Sequence, residues 1–465
     1  ILNYSKPNAE KIYVGKSGSC HSYEQSEINK MLVKQAKNGK VVVRLKGGDP
    51  FIFGRGGEEA LCLFENNIPF EIINGISSAY SVPTYAGIPV THRGISASVA
   101  FITGHEDPTK NKSDINWAKL ATGVQTLVFL MGVKNLPLII SELIENGLSG
   151  NTPIAIIQNG TKGSQKSLVG TLESIVDDAK QKDVKPPAIV IIGEVVTLKG
   201  KISWFENRLL FGKKIIVTRS REQASLLNKK LYDLGADIIE MPVIKIEKII
   251  PNDLLYNSIV SIQSFDWIIF TSVNGVDSFF NALHEQNKDA RSLFYNKICA
   301  IGEATKECLL KKGIVPDLVP KKFTSSAVID SLLQIGEIKG NSLLLPRADI
   351  APKKIVEQLH SLGAKSVLDV PVYKTVFDDN RYDENEISLL RTGKIDIVTF
   401  TSSSTVLNFK KVCQKYSIGN VKHFNCIAIG PVTAETARVN GFNVVGEAEQ
   451  HTIDGLVEKV IEYFS

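Results

Sequence analysis

At 465 residues, with 43% apolar and 22% charged residues, the chain has the composition of an ordinary globular protein long enough for two or more domains. The net charge of +5 is mild and spread along the chain, which gives no nucleic-acid footprint but suits a polyanionic small molecule. No apolar run reaches the length of a membrane span, and six cysteines without C-x-x-C spacing read as reduced thiols of a cytoplasmic protein, not as disulfides or metal ligands.

Residues 1–4 carry no targeting signal, and Ile12-Tyr13-Val14-Gly15-Lys16 reads as the end of a strand already inside a fold. Residues 24–38 have helical periodicity, with Ile28, Met31 and Leu32 on one side and Asn38-Gly39 as the stop. A strand is expected at 41–45. Five glycines in eleven positions, from Gly47 to Gly57, follow it together with Asp49 and Arg55, and two acids then open a helix. Glycines after a strand let a ligand approach the backbone where a Cβ would block it, so this is read as a ligand loop. Further strands fit 71–73, 99–102, 126–129, 154–157 and 188–192, with helices between them, which predicts an α/β domain with a largely parallel sheet.

Residues 204–214 read as a junction, and a new strand starts at Ile215. Beyond it lies an internal repeat. Thr218-Arg219-Ser220 corresponds to Pro346-Arg347-Ala348, 128 residues later; Leu234-Gly235-Ala236 recurs at Leu362-Gly363-Ala364; Phe270-Thr271-Ser272 recurs at Phe400-Thr401-Ser402, 130 residues later; and Ile301-Gly302 recurs at Ile429-Gly430. Two similar α/β lobes with a cleft between them follow from that pattern.

RLKGGDPFIFGRGGEE, PFEIINGISSAYSVPTYAGIPVTHRG and FITGHE closely resemble the uroporphyrinogen-III C-methyltransferases, tetrapyrrole methylases that use S-adenosyl-L-methionine, and the resemblance covers residues 9 to 205. It implies a two-subdomain α/β methylase domain over 1–205. The family carries, further upstream, a first strand with a G-x-G-P-G-D loop and later a catalytic aspartate. Neither is present, so an N-terminal piece of the methylase is expected to be missing. Gly47, Gly48, Asp49 and Ile52 would cradle the methyl donor, with Ser77, Ser78, Met131 and Gly160 as further contacts. Without the resemblance, Ser77-Ser78 would read as a helix cap, Met131 as core filler and Gly160 as a turn. Lys16, in register with His21, matches the family's proton donor, although a lysine after a strand is ordinarily a solvated charge. Arg55, His92 and Arg93 would meet the acetate and propionate arms of the macrocycle, since arginine forks fit carboxylates. His92 has no ligand-spaced partner for a metal, and no metal is implied.

VTRSREQA, LGADIIEMPVIKIE, FDWIIFTSVNGV, CAIGEAT, LPRAD, VPVYKT, FTSSSTV and AIGPVTAET resemble uroporphyrinogen-III synthase across 212–465. In that family the chain crosses between two lobes on two strands, here 242–247 and 370–376. Lobe one would be 212–245 plus 375–465, and lobe two 248–370. The reaction implied is loss of water from hydroxymethylbilane and ring closure with inversion of the last pyrrole. Tyr373 matches the tyrosine proposed as general acid, while a strand tyrosine packing between lobes is the competing reading. Thr271, Ser272, Thr305, Thr401, Ser402 and Thr433 would hold carboxylate arms together with helix-start amides; each alone reads as a cap. The two resemblances imply a bifunctional enzyme of siroheme and cobalamin precursor synthesis, acting on tetrapyrroles, with neither nucleic acid nor membrane as partner and with a homodimer through the methylase half. A monofunctional synthase with a methylase remnant, and a non-catalytic two-lobed ligand-binding module, remain the alternatives.

Overall fold

The computed structural model describes residues 5–6, 8–15, 23–105, 113–219, 221–320, 325–378, 382 and 384–465. The chain divides into two compact units, Ile1–Lys213 with Tyr232–Asp237, and Lys214–Leu231 with Ile238–Ser465.

The first unit begins with the helices Gln25–Lys37, Gly56–Glu65 and Ser78–Tyr85. Five strands follow: β1 (Val99–Thr103), β2 (Thr126–Leu130), β3 (Pro153–Gln158), β4 (Lys166–Thr171) and β5 (Ala188–Ile192), arranged β1-β2-β5-β3-β4. Alternation along the strands splits their apolar residues between two faces. Leu127, Phe129, Ile154, Ile156 and Val190 enter one core, while Val128, Ala155, Ile157, Ile189 and Ile191 pack with Ala79, Val82 and Ile88 in another.

Two expectations need correction here. The sheet is mixed, not largely parallel: only β1 and β2 run parallel, while β5 is antiparallel to β2 and β3, and β3 to β4. The short 159–165 loop joins β3 to β4 as a hairpin, which excludes the long crossover that a parallel pair requires. Residues 41–45 and 71–73 form no strand. Val41, Val43 and Ile73 are 97%, 82% and 72% exposed, and among the described residues no neighbouring segment gives either stretch a hydrogen-bonded ladder. β-propensity alone does not make a strand without a partner.

The second unit holds β6 (Lys214–Val217), β7 (Asp237–Glu240), β8 (Ile244–Lys248), β9 (Trp267–Phe270), β10 (Lys297–Ala300), β11 (Ser342–Ala348), β12 (Ser366–Phe377), β13 (Ile397–Phe400), β14 (Asn425–Ala428) and β15 (Asn443–Glu447). They form two sheets, β15-β14-β13-β6-β7 and β10-β9-β11-β12-β8. β8 and β12 lie where the chain passes between the sheets. They pair antiparallel in unbroken register from Tyr373 opposite Lys248 to Phe377 opposite Ile244.

β9 runs parallel to β10, and β13 to β14. Within each sheet their carboxyl ends therefore emerge side by side, and the helices Val273–Glu285, Glu303–Lys311, Ser403–Lys415 and Pro431–Val439 begin directly after them. At the end of β11, the almost fully buried Arg347 forms a two-pronged ion pair with Asp369 of β12, Nε to Oδ1 at 2.5 Å and Nη2 to Oδ2 at 2.7 Å. Lys353 adds a third bond to the same carboxylate at 2.8 Å. Burial pushes the Asp369 carboxyl up, but the hydrogen bonds from Arg347 and Lys353 outweigh it and hold it below the usual carboxylate range.

Candidate functional site

In the first unit, the glycine loop is held by side chains and meets other backbone directly. Asp49 accepts from the Phe51 amide at 2.8 Å and from the Gly75 amide at 3.1 Å. Its carboxylate thus ties its own loop to the Asn74-Gly75 turn. A Cβ at Gly75 would lie 2.0 Å from the Gly48 carbonyl oxygen, so no other residue fits there without moving the loop. Behind the loop, Lys46 donates to both oxygens of buried Glu59 at 2.8 Å, and Arg44 reaches the same carboxylate at 3.2 Å. Burial pushes the Glu59 carboxyl up; hydrogen bonds from Lys46 and Gln25, with the charges of Lys46 and Arg44, pull it lower still, and the net shift is downward.

The Gln158–Ala188 pairing and the Leu130–Ile189 pairing place the ends of β2 and β3 on either side of the start of β5. Met131 and Gly160 therefore sit at one end of the sheet. Met131 is 52% exposed and left-handed at φ 57°, so it is not core filler. Asn159 (φ 51°) and Thr161 (φ 71°) flank Gly160 in the same strained region. Non-glycine residues held there cost on the order of 1–3 kcal/mol each and cluster at ligand sites. A Cβ at Gly104 would come 2.3 Å from the Cα of Gly132, so the loops after β1 and β2 touch through backbone. Gly160 backs onto Val82 of the Ser78–Tyr85 helix. Ser77 caps that helix by accepting from the Ala79 amide at 3.2 Å and is buried, whereas Ser78 is exposed. Ile52 packs into the same core as Val82.

Arg55 is also left-handed (φ 58°), and its guanidinium grips Glu58 through two 2.8 Å bonds. The hydrogen bond to Glu58 raises the Arg55 pKa and lowers that of Glu58. His92 and Arg93 are exposed on a small hairpin in which the His92 and Ser96 backbones pair. Lys16 and His21 lie outside the described residues. Gly75 and Gly104 were not picked out from sequence. Their only signals were a generic Asn-Gly turn and a glycine at a strand end.

In the second unit, the structure brings Ser272 and Tyr373 together: their hydroxyl oxygens are 3.0 Å apart, 101 positions apart in sequence. Ser272 also caps the Val273–Glu285 helix, accepting from the Gly275 amide at 3.1 Å. The Tyr373 backbone carbonyl accepts from the Asp349 amide at 3.1 Å. Burial pushes the Tyr373 phenol up, hydrogen bonds from Ser272 and Asn274 pull it down, and the Asp349 charge adds to the net rise. The phenol therefore keeps its proton at neutral pH, as a proton donor must.

Ser402 occupies the matching cap after β13 of the other sheet, accepting from the Thr405 amide at 3.3 Å and contacting Ser404 at 2.9 Å. In the repeat, the residue aligned with Tyr373, through MPVIK and VPVYK, is the buried Ile244. Thr271 and Thr401 are half-buried at the strand ends. Thr305 and Thr433 depart from the expectation. They sit in the first turns of their helices with side chains 3% and 6% exposed, so what those turns offer outward is backbone amide, not hydroxyl.

Residues 225–458 match the family described as uroporphyrinogen-III synthase HemD, and residues 1–176 match the tetrapyrrole (corrin/porphyrin) methylases. A porphyrin biosynthesis protein HemD of Ruminiclostridium josui is 38% identical over 463 residues, 99% of this chain and 90% of that protein. A uroporphyrinogen-III C-methyltransferase of Bacillus subtilis is 41% identical over 331 residues, 71% of this chain and 68% of that protein. An S-adenosyl-L-methionine-dependent uroporphyrinogen III methyltransferase of Methanosarcina barkeri is 52% identical over 198 residues, 43% of this chain and 78% of that protein. The chain belongs to the tetrapyrrole methylases through its first part and to the uroporphyrinogen-III synthases through its second.

Proposed function

We infer that this chain is a bifunctional enzyme of tetrapyrrole biosynthesis: a synthase that closes hydroxymethylbilane to uroporphyrinogen III, and an S-adenosyl-L-methionine-dependent methylase that converts that product to precorrin-2. The sequence likeness to one relative along 99% of the chain supports the pairing of both activities. The observation that carries the synthase half is the buried, protonated Tyr373 phenol beside Ser272.

In the synthase half, Tyr373 donates its proton to the departing hydroxyl of the bilane, and water leaves. Ser272 turns its own O–H toward the phenolate that forms. The helix starts after β9, β10, β13 and β14, with Thr271, Thr401 and Ser402, hold carboxylate arms so that the terminal ring meets the chain end in the inverted orientation.

In the methylase half, the residues present fit a bulky donor held against backbone. The Gly75 backbone lies against the Gly48 carbonyl in the loop that Asp49 ties together, and Met131 at the sheet end is held left-handed. S-adenosyl-L-methionine, when bound, supplies an electrophilic methyl group. Gly47, Gly48, Asp49 and Ile52 would hold it with Ser77, Ser78, Met131 and Gly160. Lys16, His92 and Arg93 are assigned to proton handling and to the macrocycle's carboxylates. Arg55 joins them on exchanging Glu58 for a substrate arm. We assign the domains as 1–205 and 212–465, the latter with lobes 212–245 plus 375–465 and 248–370. A cytoplasmic homodimer associating through the methylase half completes the reading. The family resemblance supports it, and light scattering tests it.

Two assays decide the function. The chain is incubated with hydroxymethylbilane and the isomers are scored; formation of only the type I isomer sinks the synthase reading. It is then incubated with uroporphyrinogen III and labelled S-adenosyl-L-methionine; label on the macrocycle supports the methylase reading, and an unlabelled macrocycle together with no S-adenosyl-L-methionine retained in equilibrium dialysis sinks it.

A further inference from the structure

We propose that a basic cavity beside the crossover strand β12 seats one carboxylate-bearing pyrrole of the linear bilane, next to Tyr373. The proposal rests on the synthase reading above and adds a binding site to it. The cavity, about 410 Å³, opens between the end of β12 and the Ser403–Lys415 helix. Thr375 and Phe377 form one wall, and Ser404, Asn408, Lys410 and Lys411 another. Its described lining includes no Asp or Glu. A cavity with hydroxyl and amide groups, two ammonium groups and an aromatic wall suits a flat ring carrying carboxylates.

Strand geometry connects this cavity to the chemistry. Side chains alternate along a strand, and β12 pairs with β8 without a bulge from Tyr373 to Phe377. Tyr373, Thr375 and Phe377 therefore share one face. Tyr373 lies about 7 Å along the strand from Thr375. A second link runs through the helix cap, since Ser402 contacts Ser404 of the cavity wall at 2.9 Å. Lys411 places its ammonium 5.7 Å from the Phe377 ring centroid, over the aromatic wall. Lys410 is steadied by a 3.2 Å bond to Asn440.

The internal repeat isolates this feature. At the shift of 130 that aligns Ser272 with Ser402, the residues matching Lys410 and Lys411 are Phe280 and Asn281. β12 of one sheet thus supplies the phenol, and the helix after β13 of the other sheet supplies the paired ammonium groups. That division lets an asymmetric, linear substrate bind in a single direction, its carboxylates at the lysines and its reacting end at Tyr373.

The test is steady-state kinetics of the whole chain with hydroxymethylbilane. In the variant carrying Lys410→Gln and Lys411→Gln, KM should rise about tenfold with kcat within about twofold, because charge-assisted contacts at a partly exposed site are worth that much together. Lys411→Arg should stay near wild type, and KM for uroporphyrinogen III in the methylase assay should not move. Should the double variant fail to fold, Lys411→Gln, which alters an exposed side chain, gives the same reading at about threefold. An unchanged KM, or a fall in kcat alone, overturns the cavity as a seat for the bilane. Failure of the synthase reading is distinguishable, since wild-type chain would then give only the type I isomer.

Discussion

The two units build their sites from different parts of the chain. In the methylase half the constraint is backbone: the Gly75 turn lies against the Gly48 carbonyl, Gly104 lies against Gly132, and Met131, Asn159 and Thr161 are held left-handed. In the synthase half it is side chain: capping serines, a buried phenol and two successive lysines of one helix. A backbone cradle tolerates almost no added atom. A site of distributed hydroxyls and charges loses function in steps, one contact at a time.

The largest effect expected from a side-chain change in the synthase half is structural. Asp369→Asn leaves Arg347, 2% exposed, without its carboxylate, and should destabilise the chain by about 3–5 kcal/mol in urea unfolding. Because the folded-state pKa of Asp369 lies below its unfolded value, its contribution is complete above about pH 4 and fades as pH falls through the folded-state value. The stability gap between wild type and variant should narrow in acid. A gap that widens in acid would contradict the ion-pair account.

Tyr373→Phe comes next, with kcat of the synthase falling about 100-fold while circular dichroism stays unchanged. Wild-type turnover would make Tyr373 a packing residue, the reading its burial also permits. Complete loss in a folded variant would put chemistry above conformation in this half and weaken the contrast with the methylase.

Gly75→Ala tests the other side of the comparison. A Cβ 2.0 Å from the Gly48 oxygen must push the loop away, and overpacking of this kind costs about 1–3 kcal/mol, so S-adenosyl-L-methionine affinity should drop about tenfold or more in equilibrium dialysis. Synthase turnover should be unaffected. Retained donor affinity would mean that the Gly48–Gly75 contact lies outside the donor site.

Legibility followed the same division. The glycine loop from Gly47 to Gly57 was visible because backbone approach leaves glycines in the sequence. Gly75 was hidden because Asn-Gly turns are common. The strand expected at 41–45 failed because propensity describes a residue's fit to a sheet and does not supply the neighbour; Val41 is 97% exposed. β4 was missed because only Leu168 and Val169 show its alternation, amid Lys166, Ser167, Gly170 and Thr171. In the synthase half, the repeat made the cap positions legible as a set. The Ser272–Tyr373 contact was not, since nothing in two short motifs so far apart states that they meet. Thr305 and Thr433 carried the right hydroxyls, but their depth could be read only from the packed helix starts.

The smallest expected effect isolates the phenol. Ser272→Ala and Ser402→Ala remove equivalent caps, and each should cost about 1 kcal/mol of stability. Their kinetic consequences should differ. Ser402 has Ile244 where Ser272 has Tyr373, so only Ser272→Ala removes a hydrogen bond that favours the phenolate. Without it the Tyr373 phenol becomes a weaker acid. Synthase kcat should fall about five- to tenfold near neutral pH, since one such bond is worth roughly 1 kcal/mol. The alkaline limb of the pH–rate profile should move to higher pH, and Ser272→Thr should restore both. In the Tyr373→Phe background the effect of Ser272→Ala on kcat should disappear, because there is no proton left to tune. If both alanine variants shift the profile equally, the repeat is symmetric in function as well as in fold, and the assignment of the acid to one lobe fails.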